Sequence, residues 1–216
     1  MKAIVIGATG ATGRELIKQL INDPKISEIV ALVRRPVESE DSKLKYVTVD
    51  FKNPLEWSNL VVGDVAFSCM GTTLKDAGSK QAQYEVDFGY QYEFAKAAKK
   101  NDIPSFILIS SLSADSGSKI FYSRIKGELE DRVKELGFDK FVILRPGPLM
   151  RPDSDRLSEK ISTPIITFFN KLGLLKSFAP LGVDKLAMQM LKYYYTTPQG
   201  ISVIDSKRLL SEIDRE

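Results

Sequence analysis

Histidine is absent from this sequence of 216 residues. That removes Ser-His-Asp and Cys-His catalysis and every metal site built on imidazole. Cysteine occurs once, as Cys69, so neither an internal disulfide nor a thiolate zinc site can form. An excess of one charge is also lacking: 31 Lys+Arg against 28 Asp+Glu leave a net +3. That is too mild to mark a protein of nucleic acid or of membrane surfaces. No apolar run approaches the ~18 residues of a membrane span. The opening run, MKAIVIG, stops at Gly7 without the length or the small-residue cleavage site of a signal peptide. These absences predict a cytoplasmic protein of a reducing compartment, with no metal, no nucleic acid and no membrane among its partners.

What is present is a regular alternation. Apolar, β-branched runs occupy 3–6, 29–33, 46–49, 65–68, 106–109, 141–144 and 201–204. Most are continuous and do not alternate in polarity, the pattern of strands covered on both faces. Helix-period segments lie between them: Leu16, Ile17, Leu20 and Ile21, closed by Asn22-Asp23-Pro24; Tyr84, Phe88, Tyr92 and Ala95; Phe121, Ile125, Leu129, Val133 and Leu136, ended by Gly137; and Val183, Leu186, Ala187, Met190, Leu191 and Tyr194. Repeated βα units joined by right-handed crossovers give an α/β, doubly wound, mostly parallel sheet of about seven strands. The 43% of apolar residues suffices for one core, so residues 1–216 read as a single domain. Residues 150–182 break the rhythm with Pro and Gly and read as a substrate-side flap with one or two helices.

The first strand runs into Gly7-Ala8-Thr9-Gly10-Ala11-Thr12-Gly13, and a helix follows. Glycines at this spacing permit a tight turn, a close approach of backbone to phosphate, and close packing of helix on strand. The helix start then offers unpaired N–H groups to a pyrophosphate. The spacing is neither GxGxxG nor the GxxxxGK[ST] of a P-loop, which disfavours an NTPase. The second strand ends in Arg34-Arg35-Pro36, and the first acid beyond it is Glu38. A basic tip with no carboxylate suits the 2′-phosphate of NADP(H) over the ribose diol of NAD(H). After the third strand, Asp50 could accept from the adenine amino group or cap the turn before Asn53-Pro54; Phe51 follows it.

Two Tyr-x-x-x-Lys pairs occur, Tyr92/Lys96 and Tyr122/Lys126, and with 8 tyrosines the pattern alone decides nothing. Context separates them. Tyr92 lies on an apolar helix stripe, the place of a packing residue. Tyr122 and Lys126 stand one turn apart beside such a stripe. Their helix follows the fifth strand, which ends in Ser110-Ser111 where ligands of open α/β sheets bind. A phenol is protonated at neutral pH and can donate to a forming alkoxide, a nearby ammonium favours its phenolate, and a serine hydroxyl can hold the carbonyl oxygen.

With GATGATGREL at the start, Gly71-Thr72-Thr73 after strand four, Ser110-Ser111, Tyr122-Ser-Arg-Ile-Lys126-Gly127-Glu128 and Arg145-Pro146-Gly147, the sequence resembles an atypical short-chain dehydrogenase/reductase, within it the Tat-interacting-protein oxidoreductase group. The resemblance implies a Rossmann fold binding NADP(H). It implies Cys69, Met70 and Gly71 on the adenosine ribose and phosphate side, Pro146 and Gly147 against the nicotinamide, and Ser111, Tyr122 and Lys126 as catalytic positions. The short C-terminal region argues against a nucleotide-sugar substrate.

The resulting cofactor-binding set is Gly7, Thr9, Gly10, Ala11, Thr12, Gly13, Arg34, Arg35, Asp50, Phe51, Cys69, Met70, Gly71, Thr72, Ser110, Tyr122, Lys126, Pro146, Gly147 and Leu149. Leu149, Ile161, Ile165, Phe168 and Phe169 are expected to line the substrate end. The reading is an NADP(H)-dependent oxidoreductase acting on a small carbonyl or alcohol, as a monomer or homodimer. The alternative is an NADP(H) sensor acting through a protein partner, which would not need Ser111, Tyr122 and Lys126 together. Elsewhere, Cys69 reads as a small buried filler, Trp57 as packing for the short helix after Asn53-Pro54, and Tyr193-Tyr194-Tyr195 as a partly buried helix end.

Overall fold

A computed structural model describes residues 1–150 and 179–213 of the chain. Seven parallel strands form its main sheet: β1 (Lys2–Ile6), β2 (Glu28–Val33), β3 (Leu44–Thr48), β4 (Val65–Ser68), β5 (Ser105–Ile109), β6 (Lys140–Arg145) and, after the small β7 (Leu149–Met150) and β8 (Leu181–Gly182) pair, β9 (Gly200–Asp205). The spatial order is β3-β2-β1-β4-β5-β6-β9. The chain winds outward from β1 to β3, crosses back to β4, and winds the other way. The reversal between β1 and β4 leaves a crevice at the carboxyl ends of the strands, the site for a ligand in such sheets.

Successive strand residues point to opposite faces. Ala3, Val5, Ile29, Ala31, Val65, Phe67, Ile107 and Val142 pack on one side against Leu16 and Leu20 of α1 (Ala11–Asn22). Leu186 and Met190 of a later helix, Val183–Thr196, join them there. Ile4, Ile6, Val30, Leu32, Ala66, Phe106, Leu108 and Ile143 pack on the other side. Their partners there lie on helices that follow β4 and β5: Phe94 and Ala98 on one, Leu129 and Val133 on the next. This two-sided burial is why the strands read as continuous apolar runs. The run at 201–204 behaves differently. β9 is the sheet edge, and Ile201 and Val203 are 54% and 44% exposed while Ile204 is buried.

The segment after β4 positions the site. α2 (Pro54–Trp57) precedes β4, with Trp57 buried and its Nε1–H donating to the Asp50 carbonyl at 3.0 Å. Past β4 come α3 (Leu74–Ala77) and α4 (Lys80–Tyr84), started by the Thr73 and Ser79 hydroxyls accepting from Asp76 and Ala82 N–H. A π turn, Glu85–Gly89, then joins α4 to α5 (Tyr90–Lys100). α6 (Phe121–Lys134) follows β5, and Gly137 at φ +69° closes the turn beyond it. The C-terminal part holds α7 (Val183–Thr196), with Tyr193 and Tyr194 buried as expected of a helix end, and α8 (Ser206–Ile213). Ile161, Ile165, Phe168 and Phe169 lie outside the described residues.

Candidate functional site

The β1–α1 loop can take its shape only with glycine at two places. Gly7 has φ +76°, and a Cβ there would lie 2.5 Å from the Cys69 carbonyl carbon and 2.6 Å from the Met70 nitrogen. A Cβ on Gly13 would lie 2.1 Å from the Gly7 oxygen. Gly10 closes the turn by donating its N–H to the Gly7 carbonyl at 2.9 Å. The helix it starts has no side-chain cap and no acid in its first turn. Its first N–H groups and positive dipole end are thus left for an anion.

Two cavities meet at this loop. The first, about 530 Å³, runs over the tips of β2 and β3 and is lined by Gly7, Thr9, Gly10, residues 32–37, Phe51, Cys69, Met70, Gly71, Val86 and Tyr90. The second, about 700 Å³, extends toward β5 and α6. Its lining includes Ala11, Thr12, Thr72, Thr73, Leu74, Lys80, Gln83, Ser110, Ile120, Phe121, Tyr122, Lys126 and Leu149. Gly10, Cys69, Met70 and Gly71 line both, so the two form one elongated cleft across the sheet reversal. Arg34 and Arg35 are exposed in the first half; Glu38 does not line it.

Tyr122 and Lys126 line the far end; Ser111 lies outside the lining of both cavities, with its hydroxyl acting on the Tyr122 phenol. The Lys126 side chain is buried, with the residue 2% exposed, and Nζ donates to the Ile109 carbonyl at 3.0 Å. Burial lowers its pKa, while the negative charges of Asp87 and Glu130 raise it. Tyr122 keeps 38% of its surface exposed, yet its phenol is pushed up to about 12. Desolvation of the hydroxyl is the main cause and Asp87 adds to it; the Ser111 hydroxyl pulls the other way. Ser111 also shares a 3.2 Å hydrogen bond with Ser113. Tyr92 is elsewhere, stacked on Phe88 and lining a surface groove with Phe51, Pro54 and Glu93.

Several expected residues take other roles. Ser110 backs the second cavity, but its hydroxyl donates to the buried Glu130 at 2.5 Å, and Arg145 holds the same carboxylate through two bonds. The Ser110 side chain is thus committed to the protein, not to a cofactor. The Asp50 carboxylate accepts from Lys52 N–H at 3.0 Å and Asn53 Nδ2 at 2.8 Å and lines neither cavity. Of its two readings, the turn cap is the one built. Pro146 and Gly147 follow β6 without lining either cavity; the Pro146 carbonyl accepts from Leu112 N–H at 2.9 Å. Cys69 is half-buried and lines both halves of the cleft, so it is cleft wall more than filler; burial pushes its thiol pKa up.

The sequence reading missed Lys80, Gln83, Val86, Tyr90 and Phe121 in the lining and Asp87 behind it. Asp87 is fully buried on the π turn, and its Oδ1 accepts from Thr72 N–H at 3.2 Å. The visible signal was an acid between Val86 and Phe88 in a helix-period segment.

Comparison with known proteins follows the same lines. The family described as NAD(P)H-binding matches residues 7–163. "Protein FMP52, mitochondrial" of Candida albicans is 36% identical over 198 residues, 87% of this chain and 86% of that protein. An oxidoreductase of the short chain dehydrogenase/reductase family from Burkholderia thailandensis superposes with TM-score 0.71 at 16% identity, covering 100% of this chain and 97% of the other. The Bordetella bronchiseptica enzyme WbmH, in complex with NAD+, gives 0.70 at 16% identity over 95% and 75%. At these identities the structures show the shared Rossmann fold. The mitochondrial relatives overturn the expectation of a cytoplasmic protein, which rested on composition and on the opening run alone. They also carry the FMP52 name and not that of the Tat-interacting group. With a matched segment that spans the glycine loop, the cleft and α6, this chain belongs to the NAD(P)H-binding family.

Proposed function

We propose that this protein is an NADP(H)-dependent oxidoreductase that interconverts a small carbonyl compound and its alcohol. The observation that carries the reading is that Tyr122 and Lys126 line one end of a cleft that starts at an uncapped glycine loop, with the Ser111 hydroxyl acting on the Tyr122 phenol. The cleft suits a dinucleotide. Side chains at Gly7 and Gly13 would strike backbone where the loop lies against β4 and α1, and Gly10 at the start of α1 lines both halves, with Ala11 and Thr12 on the second. The first half would hold adenosine beside Phe51 and Tyr90, with Arg34 and Arg35 on the 2′-phosphate. The second would hold the nicotinamide riboside, with Lys126 toward the ribose.

When bound, the nicotinamide supplies or accepts the hydride. The chain's own groups handle the proton. Ser111 donates a hydrogen bond to the substrate oxygen. In reduction, Tyr122 gives its proton to that oxygen as negative charge develops there; in oxidation it takes the proton back. A phenol held up to about 12 keeps its proton at neutral pH, as the acid role requires. The ammonium of Lys126 steadies the phenolate left behind.

Calorimetry with NADP(H) and NAD(H) tests the cofactor. One charge-assisted bond contributes about 1.5–3 kcal/mol, so NADP(H) should bind about 10- to 100-fold more tightly, and Arg34→Ala/Arg35→Ala should erase the difference. Equal affinities in the wild type refute the assignment. NADPH oxidation over a panel of aldehydes, ketones and quinones tests the reaction. Tight NADP(H) binding with no turnover anywhere on the panel would transfer the reading to a sensor acting through a protein partner.

A further inference from the structure

Behind the second cavity lies a carboxyl group that the proposed reaction does not use. Asp87 is 0% exposed, and while its Oδ1 accepts from Thr72 N–H, its Oδ2 has no partner at hydrogen-bond geometry among the described residues. A carboxylate taken out of water among neutral donors alone is costly unless an opposite charge compensates it. The buried cation of the site, Lys126, has the matching problem: among the described residues its one hydrogen bond, to the Ile109 carbonyl, is to a neutral acceptor.

The two elements that carry these groups, the π turn and α6, pack against each other. A π turn inserts an extra residue into a helix and redirects the side chains around it. Thr72 N–H from the loop after β4 donates to Asp87, and the Gln83 amide from α4 lies beside it. Its charge acts across the packed π turn and α6 on Tyr122 and Lys126, with no ion pair to Lys126 within 4 Å among the described residues. From α5, Gln91 binds only the Asp87 backbone carbonyl, at 2.9 Å. Glu130 also acts on Lys126 but is held by Arg145 and Ser110.

We propose that Asp87 is a positioning residue, the counter-charge that keeps the Lys126 ammonium protonated in a site too dry to hold it alone. Its consequence for turnover rests on the oxidoreductase reading; the charge coupling does not. Burial pushes Asp87 up and Lys126 down, and each charge draws the other back.

Asp87→Asn is the test, because an amide keeps the volume and an oxygen for Thr72 N–H while removing the charge. The Lys126 Cε resonance, assigned by its loss in Lys126→Arg, is titrated by carbon-13 NMR of the full chain. An opposite charge in close range moves a titration by about 1–3 pH units, so the midpoint should fall by about one unit or more. An unchanged or higher midpoint overturns the proposal. Should Asp87→Asn fail to fold, the reciprocal holds: in Lys126→Met the Asp87 Cγ midpoint should rise by about one unit or more, and no rise overturns it. If the wild type turns over, the alkaline limb of kcat should move down with Lys126 in Asp87→Asn. A wild type without turnover would refute the reaction and leave the two midpoints to decide the coupling.

Discussion

Replacing Gly13 by alanine sets two effects of opposite sign against each other. Gly13 lies in the first turn of α1, where alanine is favoured over glycine by up to about 1 kcal/mol. Against this, the new Cβ would lie 2.1 Å from the Gly7 oxygen and 2.8 Å from the Ala8 Cα, both backbone atoms that no rotamer change can move. The helix would have to retreat from the loop by about 1 Å, and overpacking of this kind costs about 1–3 kcal/mol or more. The clash therefore wins, by about 1–2 kcal/mol. For a chain of this size that lowers Tm by about 2–8 °C. Because the retreat reopens the turn that presents the helix N–H groups, affinity for NADP(H) should fall as well. Gly89→Ala is the control. Gly89 has helical φ, and nothing lies within 4 Å of its added Cβ, so the propensity gain stands alone and Tm should rise by about 1–4 °C. Thermal unfolding of both variants by circular dichroism, with calorimetric titration of NADP(H), reads all of this. A Gly13→Ala protein as stable as the wild type and binding cofactor equally well would refute the steric argument.

Tyr122→Phe should abolish turnover on any substrate the wild type reduces, with cofactor affinity by calorimetry unchanged within about twofold, because the lost oxygen acts in the chemical step. Tyr92→Phe should stay active, since Tyr92 stacks on Phe88 away from the Ser-Tyr-Lys end; an inactive Tyr92→Phe would mean that the wrong tyrosine has been chosen. Glu130→Gln should lower the urea midpoint by the equivalent of about 1–3 kcal/mol. That is less than a fully buried pair would lose, because the Arg145 side chain, 29% exposed, can turn to water. Stability should also fall in alkali. Burial and Asp87 hold Tyr122 up to about 12, and burial with the Glu212 and Asp23 carboxylates raises Tyr193 and Tyr195. Unfolded tyrosines release their protons near ~10, so above that pH the native state binds more protons and loses stability as pH rises. Thermal melts across that window should show Tm dropping, and dropping less in Tyr195→Phe; a flat wild-type profile would refute it.

Local steric demands were legible in the sequence and side-chain pairings were not. The glycine loop could be read because Gly7 and Gly13 answer to neighbours a few residues away and to β4 backbone that any such sheet supplies. The inner strands could be read because both faces are covered, although their ends were cut short at Lys2, Glu28, Ser105 and Arg145, polar residues that still pair in the ladder; the edge strand β3, less covered, spans 44–48 and not the expected 46–49. Ser111 was read as catalytic and Ser110 as cofactor-binding, and only the first of the two has a hydroxyl left for the site. Successive residues leaving a strand face opposite ways, and this alternation sends Ser110 to Glu130 and leaves Ser111 for Tyr122. Asp50 was likewise undecidable until the Lys52 N–H and the Asn53 amide were seen to reach its carboxylate.

The burial of Asp87, Lys126 and Glu130 was the hardest feature to read, for one physical reason, although the sequence does place Lys126 itself at the site. Hydrophobic periodicity assigns charged residues to solvent, and each of these three is under a tenth exposed. The π turn also breaks the 3.6-residue period just where Asp87 turns inward, so no helical wheel continued from α4 would place it there. Three buried charges drawn from two helices far apart in sequence lower the stability of a fold that apolar residues could fill more cheaply. Such a departure from local consistency is expected where a sequence serves a site. The proposed reaction, in which a proton moves and charge has to be held at the far end of the cleft, gives the cluster a use that a ligand held by shape alone would not.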